Sequence, residues 1–192
     1  STALALGALL AVAGHSAPAA AIGAVTIGVA WSYSMPPLRL VASGFGEIAA
    51  SGVVAGAVPL VGYLVQDGSA PDELWWSIAV LFPIHFAMIL SFELPDVESD
   101  AAAGKRVLAV RIGRHRTVVL IGGSMVAAGA IAAVGGTTGG LPMAAAVATL
   151  AGIIPASLMA LALVRNRYWL LTSAAVATLV VVGVGLVVGL RV

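Results

Sequence analysis

The residues able to do chemistry gather in one stretch, Glu93 to Gly113. Three of the chain's eight acidic residues, Glu93, Asp96 and Asp100, recur there at helical spacing, and Gly104-Lys105-Arg106 follows directly. At 100° per residue the three carboxylates fall within an arc of roughly 60°, while Glu98 points to the opposite side. The surroundings are apolar, and a carboxylate at a bilayer centre costs about 2.5–3.5 kcal/mol on insertion scales. Three on one stripe therefore line a polar cavity at a helix end rather than face lipid. The Asp96-x-x-x-Asp100 pair suits a hard divalent cation, because magnesium favours one or two carboxylates together with substrate phosphates. Lys105 and Arg106 supply cations for phosphate oxygens. Carboxylates for a metal beside cations for phosphate form the arrangement a diphosphate needs.

Deeper in the same helix, Phe82, His85, Phe86 and Ile89 continue the acidic stripe. Two readings stand: the wall of a tunnel for an isoprenoid tail, whose rings could steady a developing carbocation, or ordinary interhelical packing. His85 reads as a satisfied polar group rather than a ligand, since no second histidine lies near it in the sequence. Pro83 and Pro95 are expected to bend this helix. Glu47, at the start of another apolar run, is either a helix N-terminal charge or a cavity residue. Gly44-Phe45-Gly46-Glu47-Ile48-Ala49 has the form of a dinucleotide loop, but no strand precedes it and an apolar span follows, so that match fails. Gly104-Lys105 lacks the other residues of a phosphate-binding P-loop.

The elements that position these residues are membrane spans. The chain is 61% hydrophobic and 9% charged, against about 25% charged residues in an average soluble domain. An all-α, polytopic transmembrane helix bundle follows, with residues 1–192 as one domain of about seven spans. The expected spans are Thr2 to Ala13 (short), Ala17 to Trp31, Phe45 to Val65, Leu74 to Leu94, Val118 to Val134, Leu141 to Val164, and Trp169 to Leu190. Tyr33 to Arg39, with its paired prolines, breaks the chain between the second and third. There is no cysteine, which excludes disulfides and thiolate metal sites. Nine basic residues form no extended face for nucleic acid. Alternating the spans places Arg39, Lys105, Arg106, Arg111, Arg114, Arg116, Arg165 and Arg167 on one side and leaves Arg191 on the other. The positive-inside rule makes the crowded side cytoplasmic, so the expected location is the cytoplasmic membrane with the site on its cytoplasmic face.

Two segments resemble the UbiA superfamily of intramembrane prenyltransferases: Tyr33-Ser-Met-Pro-Pro-Leu-Arg-Leu with Gly44-Phe-Gly-Glu47, and Pro95 to Gly113, which is similar to that family's second aspartate-rich motif with its basic loop. The pattern is most similar to the dihydroxynaphthoate branch of menaquinone synthesis. The resemblance implies a nine-helix fold and magnesium-dependent transfer of a polyprenyl group from its diphosphate to a lipid-soluble or aromatic, quinone-precursor acceptor. It implies that Asp96 and Asp100 hold magnesium and diphosphate, that Lys105 and Arg106 neutralise diphosphate oxygens, and that Arg39 assists. Tyr33, Glu47, Phe82, His85, Phe86, Glu93 and Arg111 complete the substrate-binding set. Two departures accompany it. Relatives carry asparagine where Phe92 stands and often lysine near Val41, and the family's first aspartate-rich motif is absent. The expectation is a chain matching the third to ninth helices, inactive by itself. The competing readings are a secondary transporter, which would place its acidic groups near the midplane at discontinuous helices, and a non-catalytic isoprenoid-binding membrane protein.

Overall fold

The computed structural model describes residues 17–152 and 167–189, and these residues form helices joined by short turns, with no strand among them. The expected short run Thr2 to Ala13, the second half of the span Leu141 to Val164, and Arg165 and Arg191 lie outside the described residues.

Helix α1 spans Ala17–Ser34 and stops before Pro36-Pro37, as the missing donors and fixed φ of proline require. Helix α2, Gly46–Asp67, follows a single 3₁₀ turn. Its segment Gly52–Ala57 widens to a π-helical turn, with Val58 N–H donating to the Val53 carbonyl. The cause lies one residue on: Pro59 has no N–H, and its ring would crowd the Ala55 carbonyl in an unbroken α-helix. Helix α3, Asp72–Glu93, runs through Pro83 without interruption. At Pro95 it tightens into a 3₁₀ turn, Leu94–Asp96, before the short helix α4, Val97–Ala102. The continuous helical stripe expected through Glu93, Asp96 and Asp100 is thus interrupted, because proline breaks the regular hydrogen-bond ladder there. Helix α5, Leu108–Ile112, precedes α6, Arg114–Thr138. Helix α6 begins four residues before the expected Val118 and continues past the expected Val134 into Gly135-Gly136-Thr137-Thr138, between two of the expected spans. It turns only at Gly139, whose φ of 78° admits a left-handed cap, and Leu141 N–H returns to the Gly135 carbonyl at 2.9 Å. Helices α7, Met143–Ala151, and α8, Tyr168–Gly189, complete the described chain.

Among the described residues, four helical segments are long and apolar enough to cross a membrane: Gly46–Asp67, Asp72–Ala102, Arg114–Thr138 and Trp169–Gly189. The protein is therefore an all-helical membrane protein. Helix α3 is its axis, packed against α6 and α8, while α7 closes on α8. Toward the C-terminal end of α3, Ala87, Leu90 and Leu94 meet Ile121 of α6 and Leu171, Ala174 and Ala175 of α8. Toward its N-terminal end, Val80 and Ile84 meet Ala128 and Ala132 of α6, Ala145 of α7, and Val182 and Leu186 of α8. The small residues let the backbones approach closely where apolar burial gives no driving force in lipid. Buried hydroxyls of Ser77, Ser91, Thr117, Thr149 and Thr178 each donate to the carbonyl four residues back, leaving none to be satisfied by lipid. The periphery is lined by exposed valines such as Val126, Val180 and Val184, as a lipid-facing surface would be.

Candidate active site

The site forms where α3 ends. Glu93, the last residue of α3, is half-buried, and its carboxyl lies beside those of Glu47 and Asp100 and the Ala109 amide. Glu47 occupies the first turn of α2 and is buried, so it is at once a helix N-terminal charge and a residue of the enclosed polar region. Its Oε1 accepts the Leu108 N–H at 2.8 Å. Glu47 Oε2 and Glu93 Oε2 are buried without a hydrogen-bond partner. The fields of both carboxyls reach the Tyr33 side chain at the end of α1. Residues from three helices thus converge on one end of the bundle.

Beyond Glu93, Asp96 is exposed and Asp100 is mostly shielded. Lys105 Nζ lies 2.6 Å from Asp100 Oδ1. The Lys105 N–H also returns to the Asp100 carbonyl at 2.9 Å, a tight turn made possible by Gly104 at φ 74°. Both the backbone and the side chain of Lys105 are therefore referred to Asp100. The hydrogen bond to Asp100, and then the charges of Asp100 and Asp96, hold the Lys105 ammonium above its ordinary range. It stays a cation at neutral pH.

The other expected residues divide into two groups. Arg106 and Arg39 are exposed and form no ion pair among the described residues. Arg39 has φ 42° and ψ 58°, a left-handed conformation that costs a non-glycine residue about 1–2 kcal/mol. Such strain persists only where the surroundings over-determine it, and it gathers at functional sites. Arg111 is exposed, yet its Nη1 donates to the Ser43 carbonyl. His85 is buried, with Nδ1 3.1 Å from Ser51 Oγ. Ser51 Oγ gives its one proton to the Glu47 carbonyl, so His85 Nδ1 is the donor to Ser51. Phe86 packs against the inner core beside Ala87 and Leu90, and Phe82 is half-buried.

The sequence reading missed Ser51, Ser43 and the Leu108 amide. Backbone groups leave no compositional signal, and Ser51 sits four residues after Glu47, a spacing that shares one helical face. The glycines dismissed as a false dinucleotide loop have a use of their own. A Cβ on Gly44, at φ 78°, would stand 2.7 Å from Arg111 Cδ, and one on Gly46 would stand 3.0 Å from Val41 Cα.

Among the described residues, no group of three or more His, Asp or Glu side chains is gathered closely enough to hold a metal by itself. What is present fits a hard cation of another kind, one bound through one or two carboxylates and completed by phosphate oxygens. Asp96 and Asp100 provide such oxygens, while the carboxyls of Glu47 and Glu93 lie within hydrogen-bond reach of each other.

The chain is 36% identical over 134 residues to a 1,4-dihydroxy-2-naphthoate octaprenyltransferase of Mycobacterium tuberculosis, covering 68% of this chain and 46% of that protein. It is 30% identical over 113 residues to a 1,4-dihydroxy-2-naphthoate octaprenyltransferase of Bacillus subtilis, covering 57% of this chain and 35% of that protein. The chain thus spans less than half the length of these curated relatives. No solved structure matches it. Residues 1–169 match the UbiA prenyltransferase family, and with a helical membrane bundle gathering carboxylates and cations at one end, the chain belongs to that family.

Proposed function

We propose that this protein is a magnesium-dependent prenyltransferase of the cytoplasmic membrane, moving a polyprenyl group from its diphosphate to an aromatic quinone precursor of the hydroxynaphthoate type. Residues 1–192 act as one transmembrane unit with the site on the cytoplasmic side. The observation that carries the reading is the Asp100–Lys105 pair at 2.6 Å, set beside Asp96 and the half-buried Glu93. The printed activity of the two relatives supports the choice of acceptor class.

In this reading Asp96 and Asp100 hold the magnesium, which when bound offsets charge on the diphosphate and makes it a better leaving group. Lys105, Arg106 and Arg39 bind the diphosphate oxygens. The allylic C–O bond breaks and its electron pair departs on the diphosphate, where fixed cations stabilise the charge as it develops. The prenyl carbon bonds to an electron-rich ring carbon. Aromaticity returns by loss of a proton or of carbon dioxide from the attacked carbon. Tyr33 and Glu93 border the acceptor, and Phe82, Phe86 and His85 stand along the deeper wall. The Lys105 ammonium is held beside Asp100, where it would meet a phosphate oxygen at the edge of the carboxylate pair.

Membranes containing the whole gene product rather than residues 1–192 by themselves, supplied with labelled prenyl diphosphate, magnesium and a panel of hydroxynaphthoate, hydroxybenzoate and glycerol-phosphate acceptors, test the proposal. Magnesium-dependent product with the naphthoate is expected. Product from glycerol phosphate alone would overturn the acceptor class, and turnover unaffected by chelation would overturn the metal.

A further inference from the structure

The two loops that carry the site's cations are joined by two side chains, Glu47 and Arg111, to which the proposed reaction assigns no step. One loop, residues 35–45, holds Arg39 and leads into α2. The other, residues 103–107, holds Lys105 and Arg106 and leads into α5. Two hydrogen bonds cross between these regions, both with the donor on the α5 side, and each region contributes one side chain. Glu47 of α2 accepts the Leu108 N–H across 61 residues of sequence, and Arg111 of α5 donates to the Ser43 carbonyl across 68. Each ends on backbone, so each fixes a chain path rather than a side-chain orientation.

The local reason is a missing cap. Val107, at the N-cap position of α5, has no side-chain oxygen to meet the orphan amides of the first turn. Glu47 provides that oxygen from another helix, and at 3% exposure it does so away from competing water. Glycine makes the second bond possible. At Gly44 the backbone comes so close to the Arg111 side chain that a Cβ would stand 2.7 Å from Cδ, and φ of 78° already disfavours any other residue.

We infer that Glu47 and Arg111 are positioning residues that clasp the two loops together, so that Arg39 on one loop and Lys105 and Arg106 on the other meet a diphosphate as a single surface. The functional half of this inference rests on the prenyl diphosphate reading above; the clasp itself does not. Exposed lysine and arginine side chains lose conformational freedom on binding an anion, and a fixed backbone beneath them limits that loss. Glu47 and Arg111 contribute through the loops they hold.

The chain has no cysteine, so Leu38→Cys with Ala103→Cys places a spin label on each loop at exposed positions. Electron–electron resonance then reads the distribution of loop-to-loop distances in the membrane-embedded protein, and the same samples are titrated with magnesium pyrophosphate. The expected result is a narrow distribution in the parent, a broad one in Glu47→Leu and in Arg111→Ala, and a narrow one in Glu47→Gln, whose amide oxygen still accepts the Leu108 N–H. Pyrophosphate affinity should fall roughly tenfold in the two broadened variants, as loss of a charge-assisted hydrogen bond at a prepared surface predicts, and hold in Glu47→Gln. Equal widths in all four proteins would overturn the clasp. Broadening without a change in affinity would overturn its positioning role. A parent that binds no pyrophosphate would overturn the diphosphate reading, and the width series would still decide the clasp.

Discussion

Both ends of α3 carry carboxylates, and the helix sets them about 33 Å apart at 1.5 Å per residue. At the N-terminal end, Asp72 and Glu73 occupy the first turn and, with Trp75, Trp76 and Gly140, line an open pocket of about 570 Å³. At the C-terminal end stand Glu93, Asp96 and Asp100. The macrodipole favours the first group and disfavours Glu93, which terminates α3 beside the partial negative charge of its last carbonyls and beside Glu47. The fold therefore accounts for Asp72 and Glu73 unaided. It gives Glu93 no such support, and the cations clustered nearby belong to loops rather than to the helix. Asp96 and Asp100, at the N-cap and in the first turn of α4, have the same local support as Asp72 and Glu73. What separates the two ends is Glu93, placed without it, and the Lys105 ammonium held 2.6 Å from Asp100.

That contrast breaks most visibly under substitution. Asp96→Ala or Asp100→Ala should lower magnesium-dependent prenyl transfer by about a hundredfold or more while leaving insertion intact, as loss of a charge-stabilising group does. Asp72→Ala and Glu73→Ala should leave the rate within about twofold, since surface substitutions away from a site change little. Product formation in membranes, normalised to protein amount, checks both. Equal losses at the two ends would remove the distinction.

Lys105→Ala should be milder, raising the KM for prenyl diphosphate roughly tenfold with a smaller change in kcat, because Arg106 and Arg39 remain to meet the phosphate. Steady-state kinetics over a range of prenyl diphosphate concentrations separates the two parameters.

A matched pair of serines sharpens the comparison within the core. Ser51 and Ser77 are both buried and both donate to the carbonyl four residues back, but only Ser51 also accepts from His85. Ser51→Ala should therefore destabilise the bundle by about 1–3 kcal/mol more than Ser77→Ala, the cost of leaving a buried donor unsatisfied. Denaturation in detergent would show the difference, and equal costs would mean His85 finds another partner.

Much of this could be read before any coordinates. Composition and span length gave the helical membrane bundle, and Pro36-Pro37 marked where α1 ends. The Asp96, Asp100 and Lys105 cluster was legible because its members lie within ten residues of one another, where helical spacing decides what meets. The remainder depends on pairings between distant segments. Nothing near Glu47 announces Leu108, and nothing near Arg111 announces Ser43. The 3₁₀ turn at Leu94–Asp96 was half legible: Pro95 signalled a bend without saying whether the helix would tilt or tighten. Helix α6 exceeded its expected bounds because a glycine run permits a turn without enforcing one.

The smallest effect concerns pH. Asp100 raises the Lys105 value in the folded protein, so the pair's contribution to stability is fully present below the unfolded lysine value and is lost as pH rises through the raised folded value. The stability difference between the parent and Lys105→Met should accordingly be flat through the neutral range and shrink only in strong alkali. Denaturation midpoints measured across that range check the sign.

The most direct test of a prenyl diphosphate site at the C-terminal end of α3 is magnesium-dependent release of diphosphate from labelled prenyl diphosphate in membranes containing the whole gene product. The parent is compared with Asp96→Asn/Asp100→Asn and with Asp72→Asn/Glu73→Gln. Release by the parent and by the Asp72/Glu73 variant, with none from the Asp96/Asp100 variant, is the predicted result. Undiminished release after the loss of Asp96 and Asp100 would contradict it.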